Sequence, residues 1–371
     1  MIIPTYEILR SVAPAYDLAG QEILLQIAQS EHTPIRVLFF AGVTSNEEYE
    51  QSRKRIAEQC SKIFGARAPM VALVAQSPLE GGVLAEVTYV DSPCKITYHS
   101  DYILLDDCQL YSAGLYSGLN ESIEAQSDAI FTRLGQILSA EGFLINDIVR
   151  QWNYIEDITR ISAQAQHYQQ FNDSRSRFYA SADWTNGYPA ATGIGARCGG
   201  VVVVVDAVKH SAQLSRAIDN PLQQAAHNYS QQVLIKGQNP QHKTTPKFER
   251  ARWVGEGLAS APSMIYVSGT AAIRGEESVR EDAVGQGVVT LENIAHLISP
   301  DNQQRHGVPS VKEYEYELLR IYIKPNLRWK PIKSWLQDNC SCQNIISIEA
   351  DICREELLLE IEAVAKIATH N

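Results

Sequence analysis

Two distant stretches of the chain carry the same hydrophobic signature. Gln126 is followed by apolar Leu134, Ile137 and Leu138, and Gln286 by Ile294, Leu297 and Ile298, at identical offsets. Such spacing puts the apolar residues on one buried face of a helix. The surroundings repeat too. A short strand with a small-residue turn precedes each helix, at Tyr111-Ser112-Ala113-Gly114 and Tyr266-Val267-Ser268-Gly269-Thr270. An alternating strand follows, at Trp152-Asn153-Tyr154-Ile155 and Arg320-Ile321-Tyr322-Ile323, and then a second helix and an apolar closing strand at 200–205 and 357–361. A sheet with helices on one face must cover its other face, so the pattern predicts an α/β protein of repeated units packed on one another. Two units are expected, over 100–235 and 244–371. The segment 1–99, with a helix predicted over 48–63 and a strand over 70–74, reads as an eroded third copy. The polar, proline-punctuated stretch 236–246 reads as a linker.

Several function classes are disfavoured. With 45% hydrophobic and 20% charged residues the chain has a globular composition. A formal net charge of −11 argues against a nucleic-acid partner, which needs a basic face. It also means that a pocket for an anion must supply its own arginine or lysine. The longest apolar runs, such as 70–75 and 201–205, are far too short to span a membrane, and residues 1–7 have no basic region ahead of an apolar stretch. The seven cysteines are odd in number and scattered, as expected of free thiols in a cytoplasmic protein. Cys340-Ser341-Cys342 has no second pair or histidine cluster nearby, so no metal is expected. There is no phosphate-binding loop, serine elbow or zinc-binding histidine pair. Gly193-Ile194-Gly195 lacks the third glycine of a dinucleotide site, so no cofactor is expected either.

The longer motifs carry a resemblance. Leu359-Glu360-Ile361-Glu362-Ala363-Val364-Ala365 and Tyr188-Pro189-Ala190-Ala191 resemble the RidA/YjgF (chorismate-mutase-like) fold, whose small members are trimers with sites between subunits. Four blocks narrow the likeness: Gln151-Trp152-Asn153-Tyr154-Ile155; Phe171-Asn172-Asp173-Ser174-Arg175 with 189–195; Phe248-Glu249-Arg250-Ala251 with Ser268-Gly269-Thr270-Ala271; and Ala350-Asp351-Ile352-Cys353-Arg354 with 357–362. In this order they resemble the chorismatases, which are similar to fused RidA-like units. The resemblance covers the chain from about residue 100 onward. It implies units fused in tandem as a pseudo-trimer with a barrel-like centre, sufficient as a monomer or loose homo-oligomer. It also implies a cofactor-free, metal-independent enzyme that splits chorismate into pyruvate and a ring acid. Two departures stand out. The family's Tyr-Gly-Pro before the Phe-x-Arg-Ala block is not found at 232–238, which has no tyrosine, and the stretch between Arg250 and Ser268 is longer.

Cleaving an enolpyruvyl ether without a metal requires a proton delivered to the methylene carbon, and hence an acid still protonated near neutral pH. A carboxyl walled in by apolar residues meets that need. The resemblance places the role on Glu360, flanked by leucines and isoleucine; the alternative is a carboxylate that only caps or pairs with a basic neighbour. Arg175 and Arg250 are candidates to grip the substrate carboxylates through bidentate forks, or to form inter-unit salt bridges. Lys324 reads as solvated. Thr192, Gly193, Gly195, Ser268, Gly269 and Thr270 offer hydroxyl and backbone donors, or simply tight turns. The resemblance assigns product choice to a small residue beside the Ser-Gly-Thr-Ala block, taken as Ala272, and to Cys353. The cysteine is similar to the subtype forming 3-hydroxybenzoate, the alanine to the one forming a dihydroxycyclohexadiene acid. The rival readings are a RidA-like imine or enamine hydrolase and a non-catalytic small-molecule binding protein.

Overall fold

The hydrophobic repeat corresponds to one topology used three times. A computed structural model describes the chain except residues 14, 92, 120, 164, 232–243, 259–260, 310 and 368–371. The first unit runs β1 (Thr5–Ser11), α1 (Tyr16–Ile27), β2 (Thr33–Phe40), α2 (Asn46–Phe64), β3 (Met70–Val74) and β4 (Val83–Val90). The second opens with β5 (Ile96–Tyr98) and β6 (Tyr102–Leu105). It continues as β7 (Gln109–Ser112), α3 (Ile123–Ala140), β8 (Ile148–Glu156), α4 (His167–Tyr179), β9 (Ala190–Ala196) and β10 (Val201–Val208). The third has β11 (Ser215–Ile218) and β12 (Ala251–Gly255), then β13 (Ser263–Ala271), α5 (Ala283–Ile298), β14 (Tyr314–Ile323), α6 (Trp329–Asn339), β15 (Ile345–Glu349) and β16 (Leu359–Ile367). The sheet orders share one core: β1-β4-β2-β3, β7-β10-β8-β9 and β13-β16-β14-β15. In each, the second helix joins the one parallel pair, β2/β3, β8/β9 or β14/β15. The first 90 residues thus have the strand order of the other two units. Residues 236–243 of the expected linker lie outside the described residues. No helix among the described residues is long and apolar enough to cross a membrane.

The repeated glutamine has one job in both places. Ser122 and Asp282 cap α3 and α5 by accepting from the backbone N–H three residues on. One turn in, the Gln126 carbonyl accepts from Val201 N–H at 3.0 Å and that of Gln286 from Leu358 N–H at 2.8 Å. Each also donates to the carbonyl five residues earlier, Glu121 or Glu281. The side chain ties the helix start to the closing strand and satisfies a buried backbone donor.

Each sheet buries one face under its own helices, with Leu134 and Val203 in one such core and Leu297 and Ile361 in another. The other faces meet in a shared core that contains Phe40, Trp152, Tyr266 and Tyr322. The sheets remain separate, so this centre is three abutting surfaces rather than one hydrogen-bonded barrel; the two-residue strand Ser77–Pro78, paired with β15, is a cross-link from the first unit to the third. Buried ion pairs close the centre in a cycle. Arg36 of β2 pairs with Asp206 of β10, Arg150 of β8 with Glu362 of β16, and Arg320 of β14 with Glu86 of β4. All three guanidinium carbons lie within 5.0 Å of the Trp152 ring centroid, a cation–π arrangement in a desolvated site.

Candidate active site

Between the second and third units lies a cavity of about 120 Å³. The floor comes from paired strands: Ala191 and Gly193 of β9, Gly269 and Ala271 of β13, and Glu360 of β16. Tyr168 and Asn172 of α4 form one wall. Phe248, Arg250 and Tyr229 line it as well, with Cys353, Arg354 and Leu357 before β16. The register of β13 against β16 breaks between Val267 and Thr270 and resumes with Thr270 opposite Ile361 and Ala271 opposite Glu360. This bulge turns the Ser268-Gly269 backbone onto the carboxyl, a local deformation of the kind often found beside active sites. A Cβ at Gly269 would lie 2.0 Å from Glu360 Oε1 and 3.1 Å from Thr192 Cγ2, so a larger residue there must push the Glu360 carboxyl aside.

Glu360 is 6% exposed, and among the described residues its carboxyl makes no hydrogen bond. Burial, reinforced by the negative charge of Glu362, pushes it up to about 8; Arg250 and Arg150 pull weakly the other way. It therefore holds its proton at neutral pH. Glu362, two residues along the same strand face, is also buried but held below the usual carboxylate range. Burial opposes that, and Arg320, Arg150 and hydrogen bonds from Thr192 and Arg320 overcome it. Two neighbouring carboxyls with oppositely displaced affinities for protons are the pattern of an assigned acid beside a permanent anion.

Arg250 and Arg354 supply positive charge in the cavity. Arg250 donates to Tyr229 Oη at 2.6 Å and to the Gln224 carbonyl at 2.7 Å, and its Nε has no partner among the described residues. Arg354 donates to the Glu276 carbonyl at 2.9 Å. Tyr229 lies between them, its ring centroid 5.5 Å from one guanidinium carbon and 5.1 Å from the other. A tyrosine does therefore reach the cavity, from just before the 232–238 stretch in which none occurs; residues 232–243 themselves lie outside the described residues.

The other expected residues divide by position. Cys353 lines the cavity, its thiol pushed up to about 12 by burial and by Glu360. Gly193 lines it as well, and a Cβ there would meet the Tyr168 ring at 2.8 Å. Thr192 lies beneath the floor: its hydroxyl accepts from Gly269 N–H at 3.0 Å and from Arg150 at 2.7 Å, and donates to Glu362. Ser268 is fully buried, accepts from Ala191 N–H at 2.9 Å and donates to the Glu249 carbonyl, joining the two units. Thr270 bonds back to the Ser268 carbonyl. Arg175 is buried behind the wall, where it donates to Asn172 Oδ1 at 2.7 Å. Ala272 is buried and does not line the cavity; its neighbour Ala271 does. Lys324 and Gly195 lie in a separate, polar cleft with Asp351. Tyr168, Asn172, Tyr229, Phe248, Ala271 and Arg354 were not among the sequence candidates, although Arg354 adjoins Cys353 in the fourth block.

The Chorismatase FkbO/Hyg5-like, N-terminal family model matches residues 89–207. A 3-hydroxybenzoate synthase from Streptomyces hygroscopicus is 29% identical over 242 residues, which cover 64% of this chain and 68% of that protein. A chorismatase from Streptomyces rapamycinicus is 28% identical over 357 residues, covering 94% of this chain and 95% of the relative. A solved chorismatase structure has the same fold over 99% of both chains, with a TM-score of 0.73 at 24% identity. A likeness that runs the length of the chain, in sequence as in fold, takes in both units that build the cleft: along its whole length the protein is similar to the chorismatases.

Proposed function

We propose that the protein cleaves the enolpyruvyl ether of chorismate, releasing pyruvate and a ring carboxylic acid, with Glu360 as general acid. The observation that carries this reading is a buried, unpaired carboxyl, protonated at neutral pH, facing a cavity that holds two arginines. Arg250 and Arg354 anchor the two carboxylates of the dianion, and the Tyr229 hydroxyl fixes the orientation of Arg250. The Glu360 proton passes to the terminal methylene carbon, which becomes a methyl group, and the adjacent carbon becomes an oxocarbenium ion. Glu360 is left as a carboxylate beside that cation, an electrostatic stabilisation that strengthens as charge develops. Trapping by water gives a hemiketal that collapses to pyruvate and a dihydroxycyclohexadiene acid, with one water consumed. Trapping by the neighbouring ring hydroxyl, followed by aromatisation, gives pyruvate and 3-hydroxybenzoate with no net water. We favour 3-hydroxybenzoate, on Cys353 in the wall and on the apolar Phe248 and Leu357, which limit water beside the cation.

The test is incubation of the purified protein with chorismate, with pyruvate followed enzymatically and the ring acid identified by chromatography. Pyruvate release that falls at least 100-fold in Glu360→Gln supports the assignment. Equal release by both proteins removes Glu360 from the mechanism, and none from the native protein removes the reaction.

A further inference from the structure

We propose that Glu362 is a positioning residue of this reaction: an anion locked into the central ion-pair cycle, which leaves that cycle with no spare positive charge and so keeps the neighbouring acid protonated. The inference rests on the reading of Glu360 as general acid. Its basis is a count of charges and donors. The centre holds Arg36, Arg150 and Arg320 against Glu86, Asp206 and Glu362, three cations and three anions, all buried. Glu362 takes both Arg150 and Arg320, the Thr192 hydroxyl, Trp152 Nε1 at 2.9 Å and Tyr322 Oη at 3.1 Å. A carboxylate with five donors stays ionised, so a second negative charge two residues along the same face would be uncompensated in a low-dielectric interior.

The groups around the acid agree. Tyr168 of α4 and Cys353 of the preceding loop face Glu360, both with their proton affinity raised by burial and hence neutral. Arg250 approaches from the cavity side, already engaged with Tyr229 and the Gln224 carbonyl. Arg150 approaches from beneath, its Nη2 shared by Glu362 and Thr192, while its Nε and Nη1 have no partner among the described residues. On the far side of Glu362 stand Tyr154, Tyr322 and the Arg320–Glu86 pair. Thr192 also joins Glu362 to the Gly269 N–H, and Gly269 is the backbone pressed against the Glu360 carboxyl. One side chain therefore sets both the charge and the seat of the acid.

Two variants of the full chain move this balance in opposite directions. Glu362→Gln removes an anion and should shift the alkaline limb of the kcat/KM profile for chorismate to lower pH by about one unit or more. Arg150→Met removes a cation and should shift it to higher pH. Glu362→Asp should restore the native limb. A merely structural role would lower rates in all three with the limb unmoved. An unmoved limb in a variant with native circular dichroism overturns the proposal, as do shifts in the same direction, and either folded variant alone suffices. The carboxylic C=O infrared band lost in Glu360→Gln reports the titration of Glu360 directly. A native protein that releases no pyruvate but whose band titrates as described defeats the proposed reaction and leaves the role of Glu362 standing.

Discussion

Replacing Glu360 by glutamine keeps the shape of the side chain and removes its ability to ionise. In the folded protein this carboxyl holds its proton up to about pH 8, against an ordinary value of 4.5. The folded state thus binds a proton that the unfolded chain has released between those values, and the native protein loses stability as pH rises through that window. At 1.36 kcal/mol per pH unit the whole window is worth about 5 kcal/mol, and the part between pH 6 and pH 9 about 3 kcal/mol. Glutamine carries no such dependence, while every other titrating group, including buried Glu249, raised to about 7, is common to both proteins. Thermal unfolding of the two proteins at pH 6 and pH 9 isolates the effect. At roughly 2 °C per kcal/mol for a chain of this size, the midpoint of the variant should rise against the native one by about 5 °C from pH 6 to pH 9. An offset that is the same at both pH values would show that Glu360 titrates normally, and would remove the physical basis of its role as an acid.

Gly269→Ala places a methyl group on the Glu360 carboxyl; a displacement of about 1 Å should lower kcat by about 100-fold with circular dichroism unchanged, read by steady-state pyruvate release. Arg250→Lys keeps a charge but loses the fork that holds both Tyr229 and a carboxylate, and should raise KM for chorismate by about tenfold. Arg36→Met strands Asp206 in the core and should cost about 3–5 kcal/mol in urea unfolding, most of which is regained by adding Asp206→Leu.

What was legible in the sequence was what a local pattern can encode. Gln126 and Gln286 could be matched because each ties its helix to the following closing strand through the same bonds, with the same apolar residues behind them. In α1 of the first unit the matching fourth position is Ala19, and Gln21 and Gln26 fall elsewhere, so its likeness to the other units shows only in the strand order β1-β4-β2-β3. Glu360 was singled out over Glu362, two residues along the same strand face, only through the resemblance, because both carboxyls sit among the same apolar neighbours. The choice between Ala271 and Ala272 was not legible, since the bulge at Ser268-Gly269 decides which residue faces the cavity and leaves no mark in composition. Thr192, Ser268 and Arg175 were singled out as motif members, yet they bond to Glu362, Ala191 and Asn172 and do not line the cavity. The arginines of the centre gave no signal at all, because each finds its carboxylate on a different sheet.

The closure of that cycle bears on how the protein can come apart. In a linear array of repeats the outermost member has one free side, and fraying starts there. Here the first unit holds the carboxylate for an arginine of the third, so every unit has two neighbours and none is terminal. Detaching any one of them exposes unbalanced charge on both sides of the gap, a penalty that favours loss of the whole over loss of a part. The cleft that carries the chemistry is one of the seams of this ring, and on these grounds it should persist until the molecule unfolds as a unit.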